Sequence, residues 1–464
     1  MLGISVIVLV GLALRLLGAR GDLWNDEIWS ITLLGPLSSI DQIFWRINHD
    51  NNHFLNSVYL YLVGPDASSL IQRGLSIVLG VFTIVAAAAA AAPRGSWAML
   101  ATSLLFSVSF PMVEYGSEAR GYAGLVLFTL LSVIFMERRL DKGGSAVALA
   151  AMMLLGMLSH LTMVETAAIL AGWTLWLTLR SKDSHGRALV DGSLILWPIF
   201  AVVLPVAAFL AIAAQVFGFR VGGLSPFSWP AAVRGYGELV KYEFGLPSWV
   251  SDSASIIAVC ALVCLSAYIW RDRRASLYAI GIVGLPVVMA AAHLPNLEIP
   301  RYFLVSGTLL LLWAGEMLGR GFDAGRTKRL LAFAILAAVV AGATSLLLPF
   351  YEYGRGSYSA MVERVTRNGP ATYASNSEFR TGMIVHYFAV RSGRKASLVP
   401  QKRLCAERPD WLIHEGDPDS QPASVKPECD DLAYDRAGSS RYWGLSGLNW
   451  TLYQRRPAPP LSRP

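Results

Sequence analysis

Charge is what this sequence has least of. Of its 464 residues only 15% are Asp, Glu, Lys or Arg, against about 25% in soluble globular domains. With 54% hydrophobic residues and a mean hydropathy of +0.47, the shortfall excludes an ordinary soluble domain and leaves a polytopic membrane protein. The net charge of +7 is small for this length. Its placement bears on topology and gives no footprint for nucleic acid. The first apolar run has no basic n-region and no small-residue cleavage site before Trp24, which argues against a cleaved signal peptide. No Gly-rich loop ending in Lys-Ser/Thr is present, so nothing here cradles a nucleotide phosphate in the P-loop manner.

What is there is a series of long apolar runs. They predict eleven spans, at roughly 2–19, 70–92, 97–113, 120–136, 145–161, 164–180, 192–214, 252–270, 276–293, 301–319 and 330–349; about 20 helical residues cross a hydrocarbon core. With the N-terminus in the cytoplasm, the compact basic turns share one side. These are Arg94; Arg138, Arg139 and Lys142; Arg180, Lys182 and Arg187; Arg271, Arg273 and Arg274; and Arg320, Arg326, Lys328 and Arg329. That is the positive-inside pattern. The alanine run Ala86 to Ala92 reads as close helix packing.

The opposite, outer side carries most acids, histidines and aromatics. Residues 1–350 form the membrane domain, including the outer loop 21–69. In that loop Ile28 to Leu34 and Phe54 to Leu62 have helical spacing and read as helices lying in the interface. Residues 351–464 change character. Ala371 to Ser375, Trp411 to His414 and Trp450 to Tyr453 read as strands and Glu378 to Arg391 as a helix, giving a small α/β domain outside the cytoplasm. The end, Pro457 to Pro464, reads as disordered. Cys260 and Cys264 share a face of one apolar helix and read as packing residues. Cys405 and Cys429 lie in the outer tail, where a disulfide between them is expected.

Four outer clusters hold groups suited to chemistry. In Trp24-Asn25-Asp26-Glu27-Ile28-Trp29 two adjacent carboxylates lie between tryptophans, which favour the membrane boundary. Such a pair can bind a divalent metal, or one member can act as base for a hydroxyl; a solvated loop is the plain alternative. In His49-Asp50-Asn51-Asn52-His53 the His-x3-His spacing also suggests a metal, but without a helix to align the rings. The third cluster is Glu114-Tyr115-Gly116-Ser117-Glu118-Ala119-Arg120-Gly121-Tyr122. There Arg120 has two readings, an ion pair with Glu114 or Glu118, or a grip on a lipid phosphate. The fourth is Glu298-Ile299-Pro300-Arg301-Tyr302-Phe303.

The order Trp24-Asn25-Asp26-Glu27, Asn52-His53-x-Leu55, Arg73, Glu118-Ala119-Arg120-Gly121-Tyr122, Ser159-His160 and Arg301-Tyr302-Phe303 resembles the GT-C glycosyltransferases. It is closest to the bacterial branch related to protein O-mannosyltransferases and lipid A aminoarabinose transferases. The resemblance covers roughly residues 1–350, and it is the order on one face that carries it. This chain has His53-Phe54-Leu55-Asn56 where relatives often have a proline-containing segment. The resemblance implies an all-α polytopic GT-C fold with a small C-terminal α/β domain. It implies a sugar moved from a polyprenyl-phosphate carrier to an envelope lipid, glycan or protein at the outer face of the cytoplasmic membrane. By it Asp26 is the general base and Glu27 its support. Arg120 and Arg301 hold the donor phosphate, and His53, Glu118, Tyr122, His160 and Glu298 line the substrates. A transporter or lipid flippase is the main rival, but the charges gather at one face instead of the midplane, and no paired broken helices mark an inverted repeat. A structural subunit with the tail as a binding module is the other.

Overall fold

The computed structural model describes residues 2–141, 143–180, 185–429 and 432–456, without the side chains of 185–189. Lys142, Lys182, the Arg187 side chain and the Pro457 to Pro464 end, on which parts of the topology and tail readings rest, lie outside these. The chain divides into two compact units. The first comprises Met1–Ala19, Leu34–Gly64 and Leu70–Leu347; the second comprises Arg20–Leu33, Pro65–Ser69 and Leu348–Pro464. The acidic pair, read from sequence as part of the membrane domain, thus groups with the tail.

The first unit is helical. Helices occupy all eleven apolar runs. Among the described residues six helical stretches are long and apolar enough to cross a membrane: Gly74–Arg94, Val190–Val216, Asp252–Trp270, Arg273–Ala291, Pro300–Asp323 and Arg326–Val365. The run expected at 97–113 is broken. Its helix ends at Val108, and a short helix, Phe110–Tyr115, starts anew. Pro111 sits in the first turn of that helix, where its missing N–H is no loss. Arg15, buried in the Leu2–Gly18 helix, donates to the carbonyls of Phe106 at 3.0 Å and Ser107 at 3.4 Å. A cation at a helix C-terminus satisfies carbonyls that have no partner in their own helix. The break therefore has two causes, and it is followed by Gly116 to Arg120 as a turn instead of a span end.

One end of this unit is held by ion pairs. Arg274 meets both Glu137 and Glu316. Asp272 accepts from Arg94 at 3.0 Å and Arg320 at 2.8 Å, and Arg273 meets Asp141 at 2.6 Å. Four of the basic turns that set the topology reading are thereby joined. A cavity of about 390 Å³ lies here, lined by Arg94, Arg138 and Arg273 among others, and by none of the candidate site residues. A helix not foreseen from sequence, Trp229–Phe244, lies in the expected outer loop. Ser228 caps it by accepting from Ala231 N–H at 3.2 Å.

In the second unit the tail forms a six-stranded mixed sheet in the order β2-β1-β3-β6-β5-β4. The strands are β1 Ala371–Ser375, β2 Ala396–Leu398, β3 Trp411–Glu415, β4 Ser424–Val425, β5 Tyr434–Ser440 and β6 Trp450–Arg455. β1 is parallel to β2 and to β3, and β3 is antiparallel to β6. The Glu378–Arg391 helix links β1 to β2 and buries Ile384 and Val385. Ala374, Leu404, Leu412, Tyr434 and Tyr453 pack into one core. Cys405 and Cys429 are joined, with Cα atoms 5.7 Å apart. Closing a loop of this length stabilises the folded tail by about 3 kcal/mol in the chain-entropy account. Cys429→Ser is therefore expected to lower the denaturant midpoint of the tail transition. Thiol labelling of both residues in non-reduced, unfolded wild-type protein would show instead that the bond is not kept.

Candidate active site

In the first unit three sequence-distant segments converge. His53 caps the Phe54–Val63 helix, Arg120 and Tyr122 leave the turn that the break at Ser109 creates, and His160 ends the Ala146–Ser159 helix. The His53 and His160 rings stack with centroids 4.7 Å apart, and Tyr122 lies 4.8 Å from His160 and 5.9 Å from His53. Tyr115 completes the group, 4.8 Å from Tyr122. Gly121 makes this approach possible, because a Cβ there would collide with the Ser159 carbonyl and press on the His53 ring.

Arg120 is almost wholly buried. One of its terminal nitrogens donates to Asn51 Oδ1. The guanidinium lies over the Tyr122 ring at 5.6 Å, a cation–π arrangement. The loop is tied down from two sides: Asn56 donates to the Ala119 carbonyl at 2.8 Å and Ser76 to the Arg120 carbonyl at 3.1 Å. Arg301 follows Pro300 into the Pro300–Asp323 stretch, and its charge reaches the same group.

The His53 imidazole reports that charge. Burial pushes the His53 pKa well down, and Arg120, His160 and Arg301 push the same way. His53 is therefore neutral near pH 7. Thr162 N–H donates to His160 Nδ1 at 3.2 Å, which places the His160 proton on Nε2. His53 Nε2 is buried with no hydrogen-bond partner among the described residues.

His49 goes elsewhere. Its Nδ1 lies 2.8 Å from Asp50 Oδ1, while His53 stacks on His160, so the His-x3-His pair does not converge. Among the described residues no three His, Cys, Asp or Glu side chains gather as a metal site. Glu118 is fully buried beside Arg120, and its carbonyl accepts from Arg120 N–H at 2.7 Å. Glu298 precedes Arg301, half-buried.

The acidic pair belongs to the second unit. Asp26 and Glu27 sit in the first turn of the Asn25–Leu34 helix, where negative charge is favoured. Glu27 is fully buried and accepts from the Trp24 N–H at 3.1 Å, the reach-back of a capping box. Asp26 is half-buried and accepts from Asn25 Nδ2 at 3.0 Å. The two carboxylates thus differ: Glu27 is buried at the helix start and Asp26 is half-buried.

No family model matches this chain, and no curated protein does. Solved structures do match in fold. The oligosaccharyltransferase AglB from Archaeoglobus fulgidus aligns with a TM-score of 0.54 at 11% identity, over 89% of this chain and 69% of that one. ArnT from Cupriavidus metallidurans aligns with a TM-score of 0.51 at 14% identity, over 97% of each chain. The fold is that of the GT-C membrane glycosyltransferases. In this GT-C fold the sequence reading named Arg120, Tyr122, His53, His160 and Arg301, which do come together. It passed over Asn51 as a guanidinium partner and Arg15 as the prop behind the break. A buried arginine inside an apolar span was the available signal for Arg15.

A histidine whose folded pKa is depressed binds its proton in the unfolded chain first. Stability therefore falls as pH drops below about 6.5, by up to about 1.4 kcal/mol per pH unit for each such group. The melting temperature of the purified protein is expected to drop from pH 7.5 to pH 5, and His53→Gln to make that drop shallower. Identical slopes for the two proteins would mean that His53 is not held neutral.

Proposed function

We propose that this chain is an integral membrane glycosyltransferase. It moves a hexosyl or pentosyl residue from a polyprenyl-phosphate-linked donor to a lipid, glycan or protein acceptor of the cell envelope. The observation that carries this reading is the convergence of Arg120 and the Arg301 charge on the stacked His53 and His160. The shared fold supports it, and AglB was solved with a dolichol-phosphate. On this reading the chain has eleven spans, a cytoplasmic N-terminus and an outer tail, and the chemistry takes place at the outer face of the cytoplasmic membrane.

The donor is already activated, since its leaving group is a phosphate. Arg120 and Arg301 hold that phosphate and stabilise the charge it gains as the glycosidic bond breaks. Asp26 removes the proton from the acceptor hydroxyl as oxygen attacks the anomeric carbon. Glu27, fixed to Trp24 N–H, positions Asp26. His53, His160 and Tyr122 meet the sugar hydroxyls, with Glu118 and Glu298 as further acceptors at the substrates. One base and one displacement invert the anomeric carbon.

Asp26→Asn keeps the size and hydrogen-bonding reach but lacks the basic oxygen. General-base help is worth about 10²–10⁴-fold, so the variant is expected to insert normally and transfer sugar at least about a hundred-fold more slowly. Transfer would be read in proteoliposomes given polyprenyl-phosphate sugars. Near-wild-type rates would remove Asp26 from the mechanism.

A further inference from the structure

The tail's sheet has a feature that the transfer reaction does not use. β1 pairs with β2 on one side and β3 on the other, all parallel. The chain leaves β1 toward β2 and leaves β3 toward the opposite side of the sheet. Open α/β sheets bind ligands at the carboxyl ends of such strands, where the connections part. β5 ends at the same edge, since Ser440 pairs with Trp450 and Trp450 with Glu415.

This edge gathers polar groups whose hydrogen bonds are incomplete. The Asn376 side chain follows β1 and bonds both backbone groups of Glu415, accepting from its N–H at 2.7 Å and donating to its carbonyl at 2.9 Å. The same amide nitrogen faces His414 Nε2 at 3.4 Å, so the His414 proton belongs on Nδ1. Burial lowers the His414 pKa, which keeps the ring neutral. Among the described residues His414 Nδ1 and Glu415 Oε2 have no hydrogen-bond partner, and neither do Thr451 Oγ1 and Trp450 Nε1. These are two facing pairs of one ladder, His414 with Thr451 and Glu415 with Trp450. Side chains alternate faces along a strand, so His414 and Thr451 share one face at this edge and Glu415 and Trp450 the other. A buried polar group left without a partner is costly, and a ligand that straddles the edge completes both pairs. Gln421 lies beside Gly416 and His414, so a ligand that displaces this amide reaches the His414 N–H.

The chemistry favours a neutral polyol. Donors and acceptors stand side by side, as a hydroxyl requires. Arg380 is matched by Glu415 at 2.5 Å, which leaves no excess positive charge for a phosphate. Exposed aromatic rings flank the edge: Phe379, 61% exposed, and Trp443, 40% exposed. The segment with Asp26 meets the same edge within this unit. Trp29 packs edge-on against Phe379 at 5.3 Å, and Asp22 accepts from Ser359 N–H at 2.7 Å.

We infer that the carboxyl edge of β1 and β3, built on Asn376, Arg380, His414 and Glu415, binds the carbohydrate portion of the acceptor. This rests on the transferase reading only for the word acceptor; the sugar site itself does not. The test uses full-length protein in detergent and a panel of methyl pentosides and methyl hexosides, with binding read by saturation-transfer NMR. Wild type is expected to bind at least one glycoside. Glu415→Gln and His414→Ala are expected to weaken it at least about tenfold, the scale of losing one hydrogen bond to a charged or buried group. Arg456→Ala, which breaks the ion pair with Asp435 away from this edge, should leave it unchanged. An intact Cys405–Cys429 bond and unchanged circular dichroism establish that each variant is folded. Binding that survives both edge substitutions overturns the site, as does a wild type that transfers sugar but binds no glycoside. Glycoside binding lost at the edge in a protein that transfers no sugar upholds the site and removes the transferase reading.

Discussion

A guanidinium inside a membrane unit must have its N–H groups met, because an uncompensated buried charge costs several kcal/mol. Much of the first unit follows from how its buried arginines meet that demand. Arg15 takes the carbonyls that the broken helix releases at Phe106 and Ser107. Arg73 takes the Ala19 carbonyl at 3.0 Å, where the first helix ends. Arg274 takes two carboxylates and the Ala90 carbonyl, the last at 2.7 Å. Arg120 bonds the Asn51 amide and lies over the Tyr122 ring. Burial, with the Arg120 charge beside it, holds the His53 pKa down.

The functional reading grows from where these arginines stand. Arg274, paired with two carboxylates, stabilises helix contacts; Arg120 stands beside the stacked imidazoles, where a ligand's phosphate would meet it. The His53 imidazole stays neutral near pH 7, while His160, whose Nδ1 is taken by Thr162, presents its Nε2–H. In the second unit the acidic pair is divided in a similar way. Glu27 is committed to its helix start, and Asp26 is not wholly covered. The tail's sheet edge, in the same unit, offers polar groups of mixed sense and no net charge, which separates it in chemistry from the cationic cluster.

Much of this was legible in the chain. In a sequence so poor in charge, Arg120, Arg301, Glu118 and the two histidines stand out, and their order along one face points to a common site. The strands and the Glu378–Arg391 helix of the tail could be read because period-two apolar runs and turn residues bound them. Other features were not. The stacking of His53 on His160 joins two helix ends far apart in sequence, which no local pattern encodes. The break at Ser109 depends on Arg15 from another helix. Arg274 reads as one more basic residue of an inner turn until Glu316, inside an apolar run, is seen to meet it. The grouping of Asp26 with the tail comes from long-range packing such as Trp29 on Phe379.

The central claim is that Arg120 and Arg301 together hold the phosphate of a polyprenyl carrier. Binding of a short-chain polyprenyl phosphate to the purified protein, measured by calorimetry at fixed salt, tests it most directly. Wild type should bind, and Arg120→Ala and Arg301→Ala should each weaken binding about ten- to a hundred-fold, the loss of one charge-assisted contact. Unchanged affinity in both folded variants would contradict the claim and leave these arginines as structural ties.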